Sequence, residues 1–273
     1  MNLHQHLLTI ARDAGFSGLG VAVRDFATGR DFGVEPERWF HAASTIKVAV
    51  LLAVFRAIDQ GTLRLDDPVH VRNRFRSVAD GSVFRIEGDR DAESGCHAKI
   101  GRSMPVRTLA HAMITRSSNL ATNLLLDLVG LEKAQATIAA AGLDGGVRLV
   151  RGVEDHAAFE RGINNEVTAR GLVELFAVVR GGEFVSGAAQ RRMLEILLEQ
   201  EFKGMLPARL PNWASVAHKT GEISTHCHDA GLVFVPNREP YAVAILTEGP
   251  ARLDERRGAI AKMSAAIFEE LTA

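Results

Sequence analysis

The sequence predicts an α/β (α+β) fold, with one antiparallel sheet built from N- and C-terminal strands, flanked by helices, and an all-helical lobe between them. Three observations carry this. Residues 18–26 alternate apolar with small or polar side chains, residues 44–60 are apolar almost all round, and alternating runs return only beyond residue 214. Strands from both ends can then pair in one sheet while the middle packs on itself. The expected boundaries are 1–40 and 186–273 for the sheet-containing lobe and 41–185 for the helical lobe, with a substrate cleft between them.

Taken in order, residues 1–16 read as a short amphipathic helix. The strand at 18–26 is followed by Ala27-Thr28-Gly29, a turn, and by a second strand near Arg30–Val34, which completes a hairpin. A helix buried on every side is expected from Ser44 to Gln60, stopped at Gly61. Residues 66–103 are rich in Arg, Asp and Gly and read mostly as loop, with Ser103-Met104 and the arginines of 72–76 as solvated surface. Helical patterns follow at Val106–Thr115, Asn119–Val129, Glu132–Ala141, Thr168–Val179 and Gly187–Gln200. Strands are expected at Ser215–Lys219, Gly231–Pro236 and Tyr241–Thr247, then a final amphipathic helix over Ala251–Leu271.

Composition narrows the partners. The 273 residues carry 32 Lys+Arg against 33 Asp+Glu, a net charge of −1, so there is no long-range field for nucleic acid or an anionic membrane. With 47% hydrophobic and 24% charged residues the chain is a globular one, long enough to bury about three quarters of its unfolded surface. The longest apolar run, Val48–Phe55, is too short to cross a bilayer. The N-terminus has neither a basic region nor an apolar core for export, so the chain reads as cytoplasmic, or as periplasmic or secreted if a leader has been removed. Cys96 and Cys227, the only cysteines, lie 131 positions apart and no disulfide scaffold is expected. The partner expected is a small-molecule substrate, with no cofactor and no metal.

Three short motifs carry the chemistry. In Ser44-Thr45-Ile46-Lys47, a helix starting at Ser44 puts Lys47 one turn on and on the same face. A lysine amine held partly neutral by apolar neighbours can take the serine proton, although a serine N-cap beside a solvated lysine fits the same letters. Ser117-Ser118-Asn119 stands just before a helix, where capping again explains it alone. In His218-Lys219-Thr220-Gly221, Lys219 can anchor a carboxylate, Thr220 can hydrogen-bond it, and Gly221 lets a backbone approach closely.

In combination the motifs say more. Ser44 is the only serine followed by lysine three places later; Ser117 comes 73 residues on and Lys219 a further 102. In this order the chain, from about residue 18 to its end, resembles the class A β-lactamases and their serine-hydrolase relatives. The stretch Ser117-Ser118-Asn119-Leu120-Ala121-Thr122-Asn123-Leu124 is similar to the family's middle-motif helix.

The resemblance implies an acyl-enzyme mechanism. Ser44 would be the nucleophile and Lys47 its proton acceptor or relay. Ser117 would pass a proton to the leaving nitrogen, and Asn119 would hold the amide of the substrate's side chain. Lys219 and Thr220 would bind the substrate carboxylate beside Gly221. The backbone N–H groups of Ser44 and Glu222 would form the oxyanion hole, an effect worth a few kcal/mol. The activity it implies is opening of a β-lactam amide; an esterase or peptidase slowly acylated by β-lactams, and a non-catalytic penicillin sensor, are the rival readings.

Three features depart from the family pattern. Ser118 stands where the family carries a buried, structural Asp. For the deacylating water the family uses a Glu four residues before an Asn, a spacing that Glu160 and Asn164 match on a shortened loop, with Glu154, Asp155 and Glu166 as rivals. His228 falls near the family's carboxylate-binding arginine, and is either a pH-dependent anchor or a strand residue bonded to Asp229. His226-Cys227-His228 lacks a second spaced pair and is not read as a metal site.

Overall fold

The computed structural model describes residues 2–181, 183–250 and 252–273. Met1 and Ala251, at the starts of the two expected terminal helices, lie outside them. Helix α1 (Leu3–Asp13) is capped by Asn2, whose side chain accepts from the Gln5 N–H at 2.9 Å. Strands β1 (Gly18–Asp25) and β2 (Asp31–Val34) form the expected hairpin. A short β3 (Trp39–His41) leads into a 3-10 turn, Ala43–Ile46, and then into α2 (Lys47–Asp59). The helix expected from Ser44 thus begins as a tighter turn, because Ala43 is held at a φ of +46° just before it.

The polar stretch holds only short pieces: β4 (Pro68–His70), β5 (Phe75–Arg76), β6 (Val83–Phe84) and β7 (Ser103–Pro105). Helices α3 (Val106–Thr115), α4 (Asn119–Val129) and α5 (Leu131–Ala140) follow. Next come β8 (Val147–Arg148), α6 (His156–Glu160) and β9 (Glu166–Thr168), then α7 (Ala169–Gly181) and α8 (Gly187–Leu198). The chain ends with β10 (Ser215–Glu222), β11 (His226–Phe234), β12 (Tyr241–Glu248) and α9 (Leu253–Thr272).

Five strands form the main antiparallel sheet in the order β10-β11-β12-β1-β2. Alternation sorts its two faces. Val21, Val23, Tyr241, Val243 and Ile245 point to α1 and α9, whereas Ala22, Ala217, Ala230, Ala242 and Ala244 point to the helical side. Alanines on that face let helices approach closely. Helix α7 lies there against β1 and β12, and α8 packs on α2 and α3 as well as β10. One apolar core therefore continues from the sheet into the helices around α2, which is buried from Lys47 to Phe55.

At the turn that joins them, β10 and β11 both reach beyond the expected strands: β10 continues past Lys219 through Thr220 and Gly221 to Glu222, and β11 starts already at His226, pairing Asp229, His228 and Cys227 with those three residues. Strand pairing overrides the polarity of these residues. A second small sheet, β3-β9-β8, is too short in each strand for alternation to reveal it. Among the described residues no helix is long and apolar enough to cross a membrane.

Candidate active site

A cleft of about 410 Å³, a size typical of ligand sites, opens beside the 3-10 turn. Ser44, Asn119, Glu154 and Glu222 all line it, together with His41, Arg90 and Arg151. The edge strand β10 reaches the turn because Gly221 has no side chain. A Cβ there would sit 3.0 Å from the backbone nitrogens of both Ser44 and Thr45. Among the described residues, three of the five non-glycine residues with positive φ, Ala43, Ser117 and Glu154, stand at or next to this cleft (+46°, +57° and +58°). Such conformations are strained and persist where the surrounding structure fixes them.

Behind Ser44 lies a buried polar knot. Lys47 Nζ donates to the Ser117 carbonyl at 2.7 Å, to Asn119 Oδ1 at 2.7 Å and to Ser117 Oγ at 3.1 Å. Lys219 Nζ donates to the same Ser117 Oγ at 3.0 Å and to the Thr220 carbonyl at 2.9 Å. Both lysines are fully buried. Burial and the Lys219 ammonium push the Lys47 amine well below the usual lysine value, against the pull of Asp91 and Glu154. Burial brings Lys219 down to about 7, with Asp229 and Glu222 opposing. A neutral Lys47 still satisfies its two 2.7 Å acceptors with two N–H bonds, leaving a lone pair for a hydroxyl proton.

Helix α4 brings Ser117 and Asn119 into place, and its N-terminus is held by a residue the sequence did not mark. Ser118 caps the helix, its Oγ accepting from the Ala121 N–H at 3.1 Å. The buried Asp91 carboxylate then accepts from the Asn119 and Leu120 N–H groups at 2.9 and 3.0 Å and from Ser118 Oγ at 3.3 Å. His97 Nε2 lies 3.1 Å from the same carboxylate. A carboxylate from the 66–103 stretch thus sits at the positive end of the helix, against Ser118. A lone Asp in an irregular, polar segment carries no sequence signal of that contact.

Of the carboxylates weighed on and beside the 151–165 loop, Glu154 lines the cleft and Glu160 does not. The loop is closed at its neck: Asn165 Oδ1 accepts from the Val150 and Arg151 N–H groups, and Asn165 Nδ2 donates to the Arg151 carbonyl. Glu154, turned inward by its positive φ, accepts from Asn119 Nδ2 at 2.7 Å. Burial raises its pKa, opposed by Arg90, His156 and Lys47. Glu160, by contrast, ends the short α6 on the exposed face, outside the cleft lining. Asn164, the other half of the Glu160 spacing, accepts from Arg151 instead. Asp155 caps α6, and Glu166 pairs with Arg148 at the surface, 3.1 Å apart. Glu154 was distinguishable from its rivals only by the turn that aims it.

His228 is also corrected. It is wholly buried in β11, where Nδ1 accepts from the Thr247 N–H and Nε2–H donates to the His41 carbonyl at 3.0 Å. Burial holds it down at about 3, so it stays neutral and anchors strands, not a substrate carboxylate. It does not bond to Asp229, whose carboxylate instead takes His218 Nδ1 at 2.9 and 3.0 Å. Thr220 and Gly221 keep their places on β10 beside Ser44, while the Glu222 carboxylate is gripped by Arg257 at 2.6 Å through both oxygens. Both cysteines are free and buried, and no cluster of three metal-ligating side chains is found among the described residues.

Comparison with known proteins agrees with this arrangement. A β-lactamase of Streptomyces fradiae is 27% identical over 237 residues, 84% of this chain and 73% of that protein. An ancestral class A β-lactamase structure is 26% identical with a TM-score of 0.84, covering 98% of this chain and all (100%) of that one. The structure of PBP-A, at 24% identity and a TM-score of 0.82 over 98% and 95% of the two chains, shares the fold. The profile of the beta-lactamase enzyme family matches residues 2–271. With that span matched and the fold shared with an ancestral class A enzyme, the chain belongs to the beta-lactamase enzyme family.

Proposed function

We propose that this protein is a serine hydrolase that opens β-lactam amides through an acyl-enzyme on Ser44, and that Glu154 activates the water that releases it. The observation that carries this reading is the shared Ser117 hydroxyl, held between Lys47 and Lys219 behind a cleft that Ser44 and Glu154 both line. Neutral Lys47 takes the Ser44 proton as Oγ attacks the carbonyl carbon. The resulting oxyanion is met by the N–H groups of Ser44 and Glu222. As the C–N bond breaks, the Lys47 proton passes through Ser117 Oγ to the leaving nitrogen. Lys219 and Thr220 hold the ring carboxylate, and Asn119 the side-chain amide.

In the second half, Glu154 takes a proton from water as the oxygen attacks the acyl carbon, and returns one to Ser44 Oγ as the ester bond breaks. Its raised pKa makes it a stronger base than an exposed glutamate. The experiment is intact-mass spectrometry after mixing with benzylpenicillin. We expect a transient adduct equal to the penicillin mass that is lost in Ser44→Ala, with nitrocefin turnover down at least about 10³-fold and an unchanged circular dichroism spectrum. An adduct that persists for hours would favour the slowly acylated esterase or peptidase, and turnover unchanged in Ser44→Ala would refute the mechanism.

A further inference from the structure

We propose that the cleft contains a second anion subsite, between the His41 imidazole and the Arg151 guanidinium, that takes a carboxylate on the acyl side chain of the substrate. The inference rests on the hydrolase reading for its substrate, and on hydrogen-bond accounting for its site. The Ala43 N–H donates to His41 Nδ1 at 3.0 Å, so that nitrogen is an acceptor and the neutral ring carries its proton on Nε2. Nε2 faces Arg151 Nη2 at 3.4 Å. Both atoms are then donors and neither can serve the other; an oxygen of an anion placed against both would satisfy the pair.

Arg151 strengthens the case. It is 5% exposed, yet its guanidinium is spent on carbonyls: Nε donates to Ile163 at 2.8 Å and Nη1 to Gly152 at 3.0 Å. Nη2 has one other contact, a long 3.4 Å one to Asn164 Oδ1, and among the described residues no carboxylate forms a salt bridge with Arg151. Asp155 acts on it from beyond salt-bridge distance, so the buried cation is only partly compensated, and an arriving carboxylate would relieve the remaining cost. Arg90, about half exposed, adds positive charge on the cleft lining. The Phe159 ring lies beside the pair, 6.0 Å from His41 and 5.7 Å from the Arg151 guanidinium carbon. Since Lys219 and Thr220 take the ring carboxylate in the hydrolase reading, an anion held here belongs to the acyl side chain beside Asn119.

Burial, Arg151 and His226 hold His41 at about 4, so a bound carboxylate should raise its titration midpoint. His226 lies 6.0 Å from it ring to ring, and His228 donates to its carbonyl. Two arms test the proposal on the full chain. In the first, kcat/KM for α-carboxybenzylpenicillin is compared with that for benzylpenicillin; we expect a preference of about tenfold for the dicarboxylate, falling towards parity in His41→Asn, whose Oδ1 can still accept from the Ala43 N–H. In the second, phenylmalonate and acetate are titrated into protein carrying ¹⁵N-histidine; we expect phenylmalonate to shift the His41 Nε2 resonance saturably and to raise its midpoint.

If neither penicillin labels Ser44 while phenylmalonate moves His41, the hydrolase reading fails and the anion site stands. If acetate moves His41 as far as phenylmalonate and the two penicillins are turned over equally, the assignment to the acyl side chain is overturned. If neither anion moves His41, the site itself is overturned.

Discussion

Lys47 and Lys219 reach one hydroxyl, their Nζ atoms 3.1 and 3.0 Å from Ser117 Oγ. One comes from the first turn of a helix and the other from the edge strand of the sheet, so the contact fastens the helical core to the sheet at Ser117. Two ammonium groups would fill both lone pairs of that oxygen and leave its own proton free to donate. A neutral Lys47 could instead receive that proton. The protonation state of one amine therefore decides which way the Ser117 proton points.

The first prediction is a bell-shaped pH profile for kcat/KM. Lys47 must be neutral to accept the Ser44 proton, so activity falls as pH drops through its lowered pKa. Lys219 must be charged to hold a carboxylate, so activity falls as pH rises past about 7 in the free enzyme. Lys219→Arg, whose guanidinium stays charged, should move the alkaline limb up by more than about one pH unit while leaving the acid limb in place. An alkaline limb that does not move would assign it to another group.

The second concerns the loop carboxylate. Glu154→Gln keeps an acceptor for Asn119 Nδ2 but is no base, so acylation should persist while deacylation slows by about 10²–10⁴-fold. The acyl-enzyme should then accumulate and be seen by intact-mass spectrometry within minutes of adding benzylpenicillin. Glu160→Gln, at the exposed end of α6, should change kcat by less than about twofold. Accumulation in Glu160→Gln and not in Glu154→Gln would reverse the assignment.

The contrast between these two glutamates shows what the sequence could and could not reveal. Long periodic elements such as β1, α3, α4 and β12 were legible because a buried face imposes a repeat. Ser44, Lys47, Ser117 and Lys219 stood out by their rare order, and the structure brings Lys47, Ser117 and Lys219 within hydrogen-bond reach. Glu160 had the right spacing to an Asn, but spacing along an irregular loop does not set direction. A left-handed backbone at Glu154 does, and no residue type announces it there. The Asp91 contact was illegible for a related reason, since it joins segments 28 positions apart through a stretch with no repeat.

The third prediction follows from the cost of burying an amine. Lys219 titrates at about 7 in the folded chain and near 10.4 when unfolded, so between those values the unfolded chain holds more protons. Its penalty to stability is fully present below pH 7 and fades as pH rises towards 10. Lys219→Met should therefore be more stable than the parent at pH 6, by about 1–2 kcal/mol after losing its bonds to Ser117 and Thr220. That gain should shrink by pH 9.5, and hydrolysis should be lost throughout. Urea unfolding at the two pH values measures it, and a gain that grows with pH would contradict the assignment.

The fourth prediction asks whether Asp91 and position 118 share one duty. Asp91 caps α4 through two backbone N–H groups and lies 3.3 Å from Ser118 Oγ, with both side chains buried. Asp91→Ser strands those donors and should cost about 2–4 kcal/mol. Ser118→Asp restores the family residue but sets a second carboxylate against the first in a dry site, and should cost about 3 kcal/mol or more. The double variant leaves one acid at the helix start and should recover at least about 1 kcal/mol relative to the sum of the single losses. Acid limbs should move as well: Asp91 raises the Lys47 pKa, so Asp91→Ser should push the limb to lower pH. Strictly additive losses in urea unfolding, with an unmoved acid limb, would mean that the two positions act independently and that Asp91 does not replace the missing acid.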